Sequence, residues 1–326
     1  MIISKTPLRI SFAGGGSDLS SFYSENGGAV VSTAINKFIY VTVNQKFDQG
    51  IRVSYSVTEE VEAVHQIRHV LVREALRFLE LTGGIEITTV ADIPSRGTGL
   101  GSSSSFTVGL LNALNAFKSR YVSREQLGAD SCHIEIDICG EPIGKQDQYA
   151  AAFGGLNLIE FRRDGAVDVS PIICRKSTAD QLESSLLLLY TGITRSASAL
   201  LAQQSQDVAN NHNKACAMRR MVELAYAVRD ELQSDNLDAF GEILHENWEL
   251  KKSLTKGIST SDIDDWYEAG RRAGAVGGKI LGAGAGGFLM FFAPPEKHRS
   301  ICRALPHLRP VSVGLERVGS QIVFYQ

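Results

Sequence analysis

The segment PSRGTGLGSSSS, residues 94–105, constrains the fold more than any other part of the sequence. It joins an alternating stretch typical of a strand, residues 84–92, to an amphipathic helix that begins near Phe106. Its glycines allow close backbone approach and positive φ. The helix that follows directs unpaired N–H groups, and the positive end of its dipole, at the loop. This order of strand, glycines, serines and helix predicts a phosphate-binding loop, and not merely a capped turn.

Two other nucleotide-binding motifs are excluded. A Walker loop needs G-x-x-x-x-G-K-[ST], and no such Lys–Ser or Lys–Thr pair follows a glycine at that spacing. The segment LGAGAGG, residues 281–287, satisfies G-x-G-x-x-G. However, it is followed by FLMFFA, which has the pattern of a strand, whereas a dinucleotide site requires a helix there. A nicotinamide-dependent oxidoreductase is therefore not expected.

Two further segments carry groups suited to phosphoryl transfer. Asp147 lies in GKQDQYAAAFGG, where a carboxylate beside phosphate-binding loops can orient or deprotonate a hydroxyl. In PLRISFAGGGSD, residues 7–18, Arg9 and Asp18 bracket a glycine run. Taken singly, each pattern also fits an ordinary loop, turn or cap.

Composition limits the class of protein. A chain of 326 residues exceeds one ordinary core and predicts two domains. The net charge of −3 does not favour nucleic acid as a partner. The longest apolar runs, at 186–190 and 288–292, are too short to span a membrane. Five scattered cysteines and no recognisable signal peptide favour a cytoplasmic location.

Strand and helix patterns alternate along the chain, which predicts an α+β fold in both halves. We expect a first domain at 1–176 and a second at 177–326, with the chain crossing between them near 175–180. Strands are expected at 2–13, 30–45, 84–92, 155–161, 279–292 and 309–325, and helices at 59–81, after 101, and at 123–139, 196–233, 237–253 and 260–273.

Taken together, the segments PLRISFAGGGSD, GTGLGSSSS, GEPIGKQDQ and KILGAGAGGF resemble, in order and spacing, those of the GHMP kinases. This family is named for galacto-, homoserine, mevalonate and phosphomevalonate kinases, and the resemblance covers essentially the whole chain. It implies a two-domain α+β architecture with the active site in the interdomain cleft. It also implies an ATP-dependent kinase that uses Mg²⁺.

The resemblance also assigns roles to residues. Asp147 corresponds to the family's proposed catalytic base, and Ser103 and Glu135 correspond to magnesium ligands. Arg9 is expected to help neutralise the charge of the transferring phosphoryl group. Nucleotide binding is expected at Gly97, Thr98, Gly99, Leu100, Gly101, Ser102, Ser103 and Ser104. Acceptor binding is expected at Gly15, Gly16, Ser17, Asp18, Arg195 and Gly284.

Within the family, Arg9 stands where mevalonate and homoserine kinases usually carry Lys, which favours the sugar-kinase branch. Galactokinases carry Glu and His where this chain has Gly15 and Gly16, so a side-chain-free pocket for a larger or phosphorylated sugar is expected. The segments GGGSDL, TGLGSSSSFTVGLLNAL, QDQYAAAFGG and YTGITRSA resemble the D-glycero-D-manno-heptose 7-phosphate kinases. The implied reaction converts a small-molecule sugar phosphate into its 1,7-bisphosphate, for nucleotide-activated heptose synthesis.

Alternatives remain open. A related sugar 1-kinase of the fucose, amino-sugar or galactose type would not need a phosphate on its substrate. A catalytically silent nucleotide- or sugar-binding protein is a second alternative, and the joint presence of Asp147, Glu135 and Ser103 argues against it. Lys251 and Lys252 close a predicted helix, where cations complement the dipole. Arg195 is the preferred cation for a substrate phosphate, because its glycine-containing loop TGITRSA resembles a family segment near the substrate, and the two lysines are alternatives.

Overall fold

The computed structural model describes residues 1–93, 97–194 and 197–326. Its first half contains, in chain order, β1 (Ile2–Ala13), α1 (Ser20–Asn26), β2 (Gly28–Gln45), β3 (Ile51–Ser54), β4 (Thr58–Val61), α2 (Val70–Phe78), β5 (Ile85–Ala91), α3 (Ser102–Phe117), α4 (Arg124–Cys132), α5 (Gln146–Phe153), β6 (Leu156–Phe161) and β7 (Val167–Pro171). The second half contains α6 (Lys176–Ser185), β8 (Leu186–Tyr190), α7 (Ala197–Asn210), α8 (His212–Gln233), α9 (Phe240–Leu254), α10 (Ser261–Arg272), β9 (Gly277–Ile280), β10 (Phe288–Phe292), α11 (Pro295–Ala304), β11 (Arg309–Val311), β12 (Leu315–Glu316) and β13 (Gln321–Tyr325).

The strands form two sheets, which confirms the α+β prediction. Among the described residues the first sheet has nine strands and runs β13-β1-β2-β5-β3-β4, with β6 and β12 pairing with β2 and β7 pairing with β6. The second sheet runs β11-β8-β10-β9. Helix α3 packs on β1 and β2 of the first sheet. Burial of its Leu110, Leu111 and Leu114 side chains stabilises the folded state by about 1.5–3 kcal/mol each. This packing fixes the N-terminus of α3, where the serines lie.

Strand β1 is continuous through Pro7. Its pairing with β2 shifts register between Pro7 and Leu8, and such a bulge accommodates a residue that lacks an N–H donor. Arg9 follows directly after this irregularity and is 3% exposed. The bulge therefore lies immediately before Arg9 in β1.

Two local predictions are wrong, and one helix was not expected. Residues 58–61 form strand β4, paired with β3, where a helix is expected. Residues 176–185 form helix α6, which the sequence analysis does not predict. The long helix expected at 196–233 is two helices, because Asn211 accepts hydrogen bonds from the N–H groups of Asn213 and Lys214 and so caps α8.

The chain returns to its first sheet at the end. Strand β13 pairs with β1, and β12 pairs with β2. The last residues therefore complete the sheet that carries Arg9, and the domain boundary at 176/177 stays a prediction. In residues 1–93, 97–194 and 197–326, none of the helices combines the length and the apolar character that a membrane span requires.

Candidate active site

The predicted phosphate loop runs directly into helix α3. Gly97, Gly99 and Gly101 have φ of +69°, +77° and +75°, values that favour glycine. Gly101 occupies the N-cap position, and α3 begins at Ser102. The first-turn N–H groups of a helix point outward from its N-terminus and attract anions. Residues 94–96, with which the motif begins, lie outside the described residues.

The loop also packs against the second glycine segment, residues 282–287. A Cβ on Gly99 would lie 2.2 Å from the carbonyl oxygen of Leu281, and one on Gly282 would lie 2.5 Å from the Cα of Gly99. Likewise, a Cβ on Gly287 would lie 2.3 Å from the carbonyl oxygen of Thr98. The LGAGAGG segment is glycine-rich because two backbones meet here, and not because it forms a dinucleotide loop.

Arg9 and Asp147 form a bidentate ion pair at this loop. The Nε and Nη2 groups of Arg9 donate to Oδ1 and Oδ2 of Asp147, both at 2.7 Å. Arg9 Nη1 donates to the carbonyl oxygen of Gly99 at 2.7 Å. A Cβ on Gly101 would lie 3.3 Å from Asp147 Oδ2. The ion pair is thus attached to the predicted phosphate loop, and its geometry matches the planar fork that arginine offers a carboxylate.

Glu135, in a π-helical turn at His133–Ile138, is buried beside the start of α3. Its Oε1 accepts hydrogen bonds from Ser103 Oγ at 3.0 Å and Thr107 Oγ1 at 3.2 Å, and its Oε2 accepts one from Gln148 Nε2 at 2.6 Å. Burial raises the pKa of this carboxyl, against hydrogen bonds that favour the charged form. In the part of the chain that the structure describes, no Lys or Arg forms an ion pair with Glu135.

These groups fit a magnesium ion. Mg²⁺ takes oxygen ligands, usually one or two carboxylates together with substrate phosphates. Glu135 and Ser103 supply a carboxylate and a hydroxyl at the N-terminus of α3, where the phosphates of a nucleotide would also lie. A buried carboxylate held by neutral donors is the environment in which a bound cation compensates the cost of burial.

Asp18 lies on the other side of the ion pair, between β1 and α1. Its Oδ1 accepts hydrogen bonds from the Gly16 N–H at 2.9 Å and Gln146 Nε2 at 3.2 Å, and its Oδ2 accepts one from the Gln146 N–H at 3.2 Å. Burial, and then the charge of Asp147, raise the pKa of Asp18. A Cβ on Gly144 would lie 1.9 Å from Asp18 Oδ2, so Gly144 makes room for this carboxylate.

A cavity of about 650 Å³ is lined by several of these groups, and Ser103 in its lining contacts Glu135. It brings together Arg9, Asp147, Asp18, the serines at the start of α3 and the second glycine segment. The lining residues are Arg9, Gly16, Asp18, Leu19, Gly97, Thr98, Gly99, Gly101, Ser102, Ser103, Ser104, Glu141, Ile143, Gly144, Gln146, Asp147, Thr194, Ser198, Leu201, Lys251, Gly282 and Ala283. Both halves of the chain therefore contribute to one space large enough for a small ligand.

The predicted site residues Leu100, Ser17 and Gly284 do not line this cavity. The side chain of Leu100 is buried in the core, and its carbonyl oxygen accepts the Arg9 N–H. Ser17 Oγ bonds the backbone of Ala29, and Gly284 packs against the backbone of Ile258. Arg195 lies outside the described residues.

The region of Gly15 and Gly16 only partly matches the expected side-chain-free pocket. A Cβ on Gly16 would lie 2.3 Å from Nε2 of Gln204, a fully buried residue of α7. Beside Gly15, a Cβ would make ordinary contacts with Gln146 and Ser11. The space next to Gly16 is therefore filled by an amide side chain from the second half of the chain.

The sequence analysis does not assign Gln146, Glu141 and Ser198 to the site, and it names Lys251 only as an alternative cation for a substrate phosphate. A signal for Lys251 did exist. Leu244, Asn247, Lys251 and Leu254 follow one another at helical spacing, so a lysine and an asparagine interrupt an apolar stripe. All four are buried in α9.

The two halves of the chain match two family descriptions. Residues 65–155 match the GHMP kinases N terminal domain, and residues 228–308 match GHMP kinases C terminal. The chain belongs to the GHMP kinases. GHMP kinases are ATP-dependent phosphotransferases, so the chain is an ATP-dependent kinase.

Among curated GHMP kinases, the chain is 29% identical over 316 residues to a D-glycero-alpha-D-manno-heptose 7-phosphate kinase of Campylobacter jejuni, and the match covers 93% of each. It is 28% identical over 318 residues to a bifunctional fucokinase/GDP-fucose pyrophosphorylase of Arabidopsis thaliana, covering 88% of this chain and 29% of that protein. The fold matches a crystal structure of a D-glycero-D-manno-heptose 1-phosphate kinase from Bacteroides thetaiotaomicron with a TM-score of 0.84 and 27% identity, over 100% of both chains.

Proposed function

We propose that this GHMP kinase transfers the γ-phosphoryl group of ATP to the anomeric hydroxyl of D-glycero-D-manno-heptose 7-phosphate, and that the 1,7-bisphosphate serves nucleotide-activated heptose synthesis in the cytoplasm. One observation carries the proposal. The Arg9–Asp147 ion pair lies between a helix N-terminus suited to phosphates and a second carboxylate, Asp18, in a single cavity. The heptose phosphate is the acceptor named for the Campylobacter relative.

The proposed step is an in-line displacement. The acceptor oxygen forms a bond to the γ-phosphorus while the bond from that phosphorus to the β–γ bridging oxygen breaks, and ADP leaves with the bonding electrons. The hydroxyl proton passes to Asp147, which still has a free lone pair on each oxygen beside its bond to Arg9. Arg9 and the N–H groups at the start of α3 stabilise the charge on the transferring group.

Ser103 and Glu135 would hold a magnesium ion. When bound, it supplies positive charge to the β- and γ-phosphates. The chain's own contribution is positioning: Gln148 and Thr107 orient the Glu135 carboxylate, and the core packing of α3 holds Ser103 beside it. Because the transition state is loose, we expect most of the rate acceleration to come from such positioning and electrostatics.

A screen of ADP release tests the proposed acceptor. It would compare heptose 7-phosphate, heptose 1-phosphate, free heptose, mannose, fucose and galactose, with the product identified by phosphorus NMR. We expect the highest kcat/KM with heptose 7-phosphate and a new anomeric phosphate in the product. An equal or higher kcat/KM with free heptose would overturn the requirement for a phosphorylated acceptor.

Fucose is the second candidate acceptor, because the fucokinase of Arabidopsis matches 88% of this chain. In the same screen, fucose turnover above that of both heptose phosphates would favour this reading. ADP release with none of the sugars, combined with normal binding of an ATP analogue, would favour a protein that binds nucleotide without transferring phosphate.

A further inference from the structure

Helix α9 carries two buried polar side chains on the face that meets the turn after β1. Lys251 Nζ donates a hydrogen bond to the carbonyl oxygen of Gly15 at 3.0 Å, and Asn247 Oδ1 accepts one from the Gly14 N–H at 3.2 Å. Lys251 is 4% exposed and lines the cavity. This helix from the second half of the chain therefore holds the glycine turn that borders the acceptor end of the site.

Lys251 is surrounded by charged groups from several elements. Asp18 before α1 and Asp147 on α5 attract its ammonium group, and Arg9 on β1 repels it. Burial, the largest effect, lowers the pKa of Lys251 to about 8. Lys279 on β9 also faces this group, and burial lowers the pKa of Lys279 well below its ordinary value.

A hydrogen bond to one carbonyl does not compensate for burying an ammonium group. Removing such a charge from water costs several kcal/mol, whereas a hydrogen bond to a charged group returns about 1.5–3 kcal/mol. A hydrophobic residue at position 251 would fill the same stripe on α9 without that cost. A buried ionisable group that lines a cavity beside specific charge partners is a candidate for a functional residue.

We propose that Lys251 is a catalytic residue whose ammonium group binds an acceptor oxygen atom next to the reacting hydroxyl. An ammonium group has three N–H donors, and the bond to Gly15 uses one of them. The proposal rests on the proposed function, in which the acceptor occupies the Asp18 end of the cavity.

The charges explain what Lys251 would contribute there. Asp18 and Asp147 together carry two negative charges, and Arg9 directs three of its five N–H donors to Asp147 and Gly99. With Lys251 protonated, the charges of these two aspartates, Arg9 and Lys251 sum to zero before the anionic phosphates bind. Without it, the acceptor oxygen and the γ-phosphoryl group would approach each other beside an uncompensated carboxylate.

Three variants test this assignment. Lys251→Met removes the charge, Lys251→Arg keeps it, and Lys252→Met is the matched control, because Lys252 occupies the same helix end but pairs with Glu249 at 2.7 Å outside the cavity. We expect Lys251→Met to lower the acceptor kcat/KM by about 100-fold, the usual effect of losing one charge-stabilising donor. Binding of an ATP analogue should stay within threefold of the parent, and Lys252→Met should behave like the parent.

The pH dependence separates a charge role from a packing role. A lysine is charged below its pKa, so the parent's kcat/KM should fall as the pH rises through about 8. In Lys251→Arg this decline should move to a higher pH, and in Lys251→Met it should vanish. A purely structural lysine would change the melting temperature and leave the shape of the profile unchanged.

Every result bears on the assignment. A folded Lys251→Met protein with acceptor kcat/KM within threefold of the parent would overturn it. So would a loss confined to phosphorylated acceptors, which would place the ammonium group at the acceptor's own phosphate. Should Lys251→Met fail to fold, an unchanged alkaline decline in Lys251→Arg would overturn the proposal. All comparisons use the acceptor that the parent phosphorylates best, so an incorrect heptose assignment is detected separately.

Discussion

Two buried carboxylates, Glu135 and Asp18, border the same site in different surroundings. Glu135 is held by neutral donors, the side chains of Ser103, Thr107 and Gln148. Asp18 is held mainly by backbone N–H groups and feels the charges of Asp147 and Lys251. Burial raises the pKa of both groups.

This difference indicates how the negative charge of each carboxylate is compensated. Around Glu135 the protein supplies hydrogen bonds but no ion-pair partner within the described residues, and the proposed magnesium ion would complete the charge balance there. Around Asp18 the protein supplies the compensating charge itself, through Lys251. We call the region of Glu135, Ser103 and the phosphate loop the donor side, and the region of Asp18 and Lys251 the acceptor side. We therefore expect the charge balance of the donor side to depend on a cation from solution, and that of the acceptor side to depend on protein side chains.

A substitution at Asp147 tests whether this third carboxylate, and neither Glu135 nor Asp18, accepts the hydroxyl proton. Asp147→Asn should lower kcat by about 10²–10⁴-fold while ATP-analogue binding persists, because an amide cannot accept the hydroxyl proton. Steady-state kinetics with an analogue titration measures both. Asp164→Asn, in an exposed pair with Arg162, is the control. A kcat within a few-fold of the parent would assign proton loss directly to the phosphoryl oxygens.

Asp147→Asn should also lower the melting temperature. The Arg9 side chain is 4% exposed, and the substitution removes its negative partner. Activity should therefore be measured well below the melting temperature of the variant.

Glu135→Gln tests the dependence of the donor side on a cation. We expect at least a 10- to 100-fold higher Mg²⁺ concentration for half-maximal activity, since an oxygen ligand with charge is lost. Because the folded protein raises the pKa of Glu135, the parent loses stability as the pH rises from the unfolded-state value to the raised value. The variant should lack this loss in thermal melts without metal. Asp137→Asn, exposed on the same turn, is the control, and an unchanged Mg²⁺ requirement would contradict the comparison.

Gly99→Ala sharpens the comparison, because it alters the donor side without touching a charge. Its Cβ would meet the Leu281 carbonyl oxygen at 2.2 Å, and strain of about 1–3 kcal/mol should displace the loop. ATP affinity should fall about tenfold, as measured by calorimetry. In Gly165→Ala, at a positive φ of +87° with only an ordinary contact, affinity should be unchanged. Equal losses in both variants would show that backbone strain alone, and not the loop contact, sets the effect.

Gln204→Met should have the smallest effect and concerns the acceptor side. Both polar atoms of this buried amide lack a hydrogen-bond partner within the described residues. Removing them should stabilise the free protein by about 1 kcal/mol in denaturant unfolding. The exposed neighbour Gln203, replaced by Met, is the control. A destabilised Gln204→Met protein would show that the amide is already satisfied in the free protein.

The sequence predicts the strand, glycine loop and helix around residues 85–117 well, because these elements are contiguous in the chain. The strand, the glycines and the helix that begins at Ser102 adjoin one another in the chain, and local patterns report such features. The grouping of Arg9 with Asp147, by contrast, required the family resemblance, since sheet pairing and helix packing bring them together.

The acceptor side was harder to predict because it depends on which face of a helix is buried. Lys251 and Lys252 are adjacent and look alike in sequence, yet only the first is buried against Gly15. Gln204 reaches Gly16 from a helix whose start was correct but whose end was not, because the capping role of Asn211 was missed.

The contact between the two glycine loops has a consequence for protein synthesis. The backbone at Gly99 takes its final environment only when Leu281 and Gly282 are in place, and these residues are translated much later. Such a contact of high sequence separation is slow to form and cannot exist on a ribosome-bound nascent chain that ends near position 176. Nucleotide affinity should therefore emerge late in translation, when most of the polypeptide has left the exit tunnel.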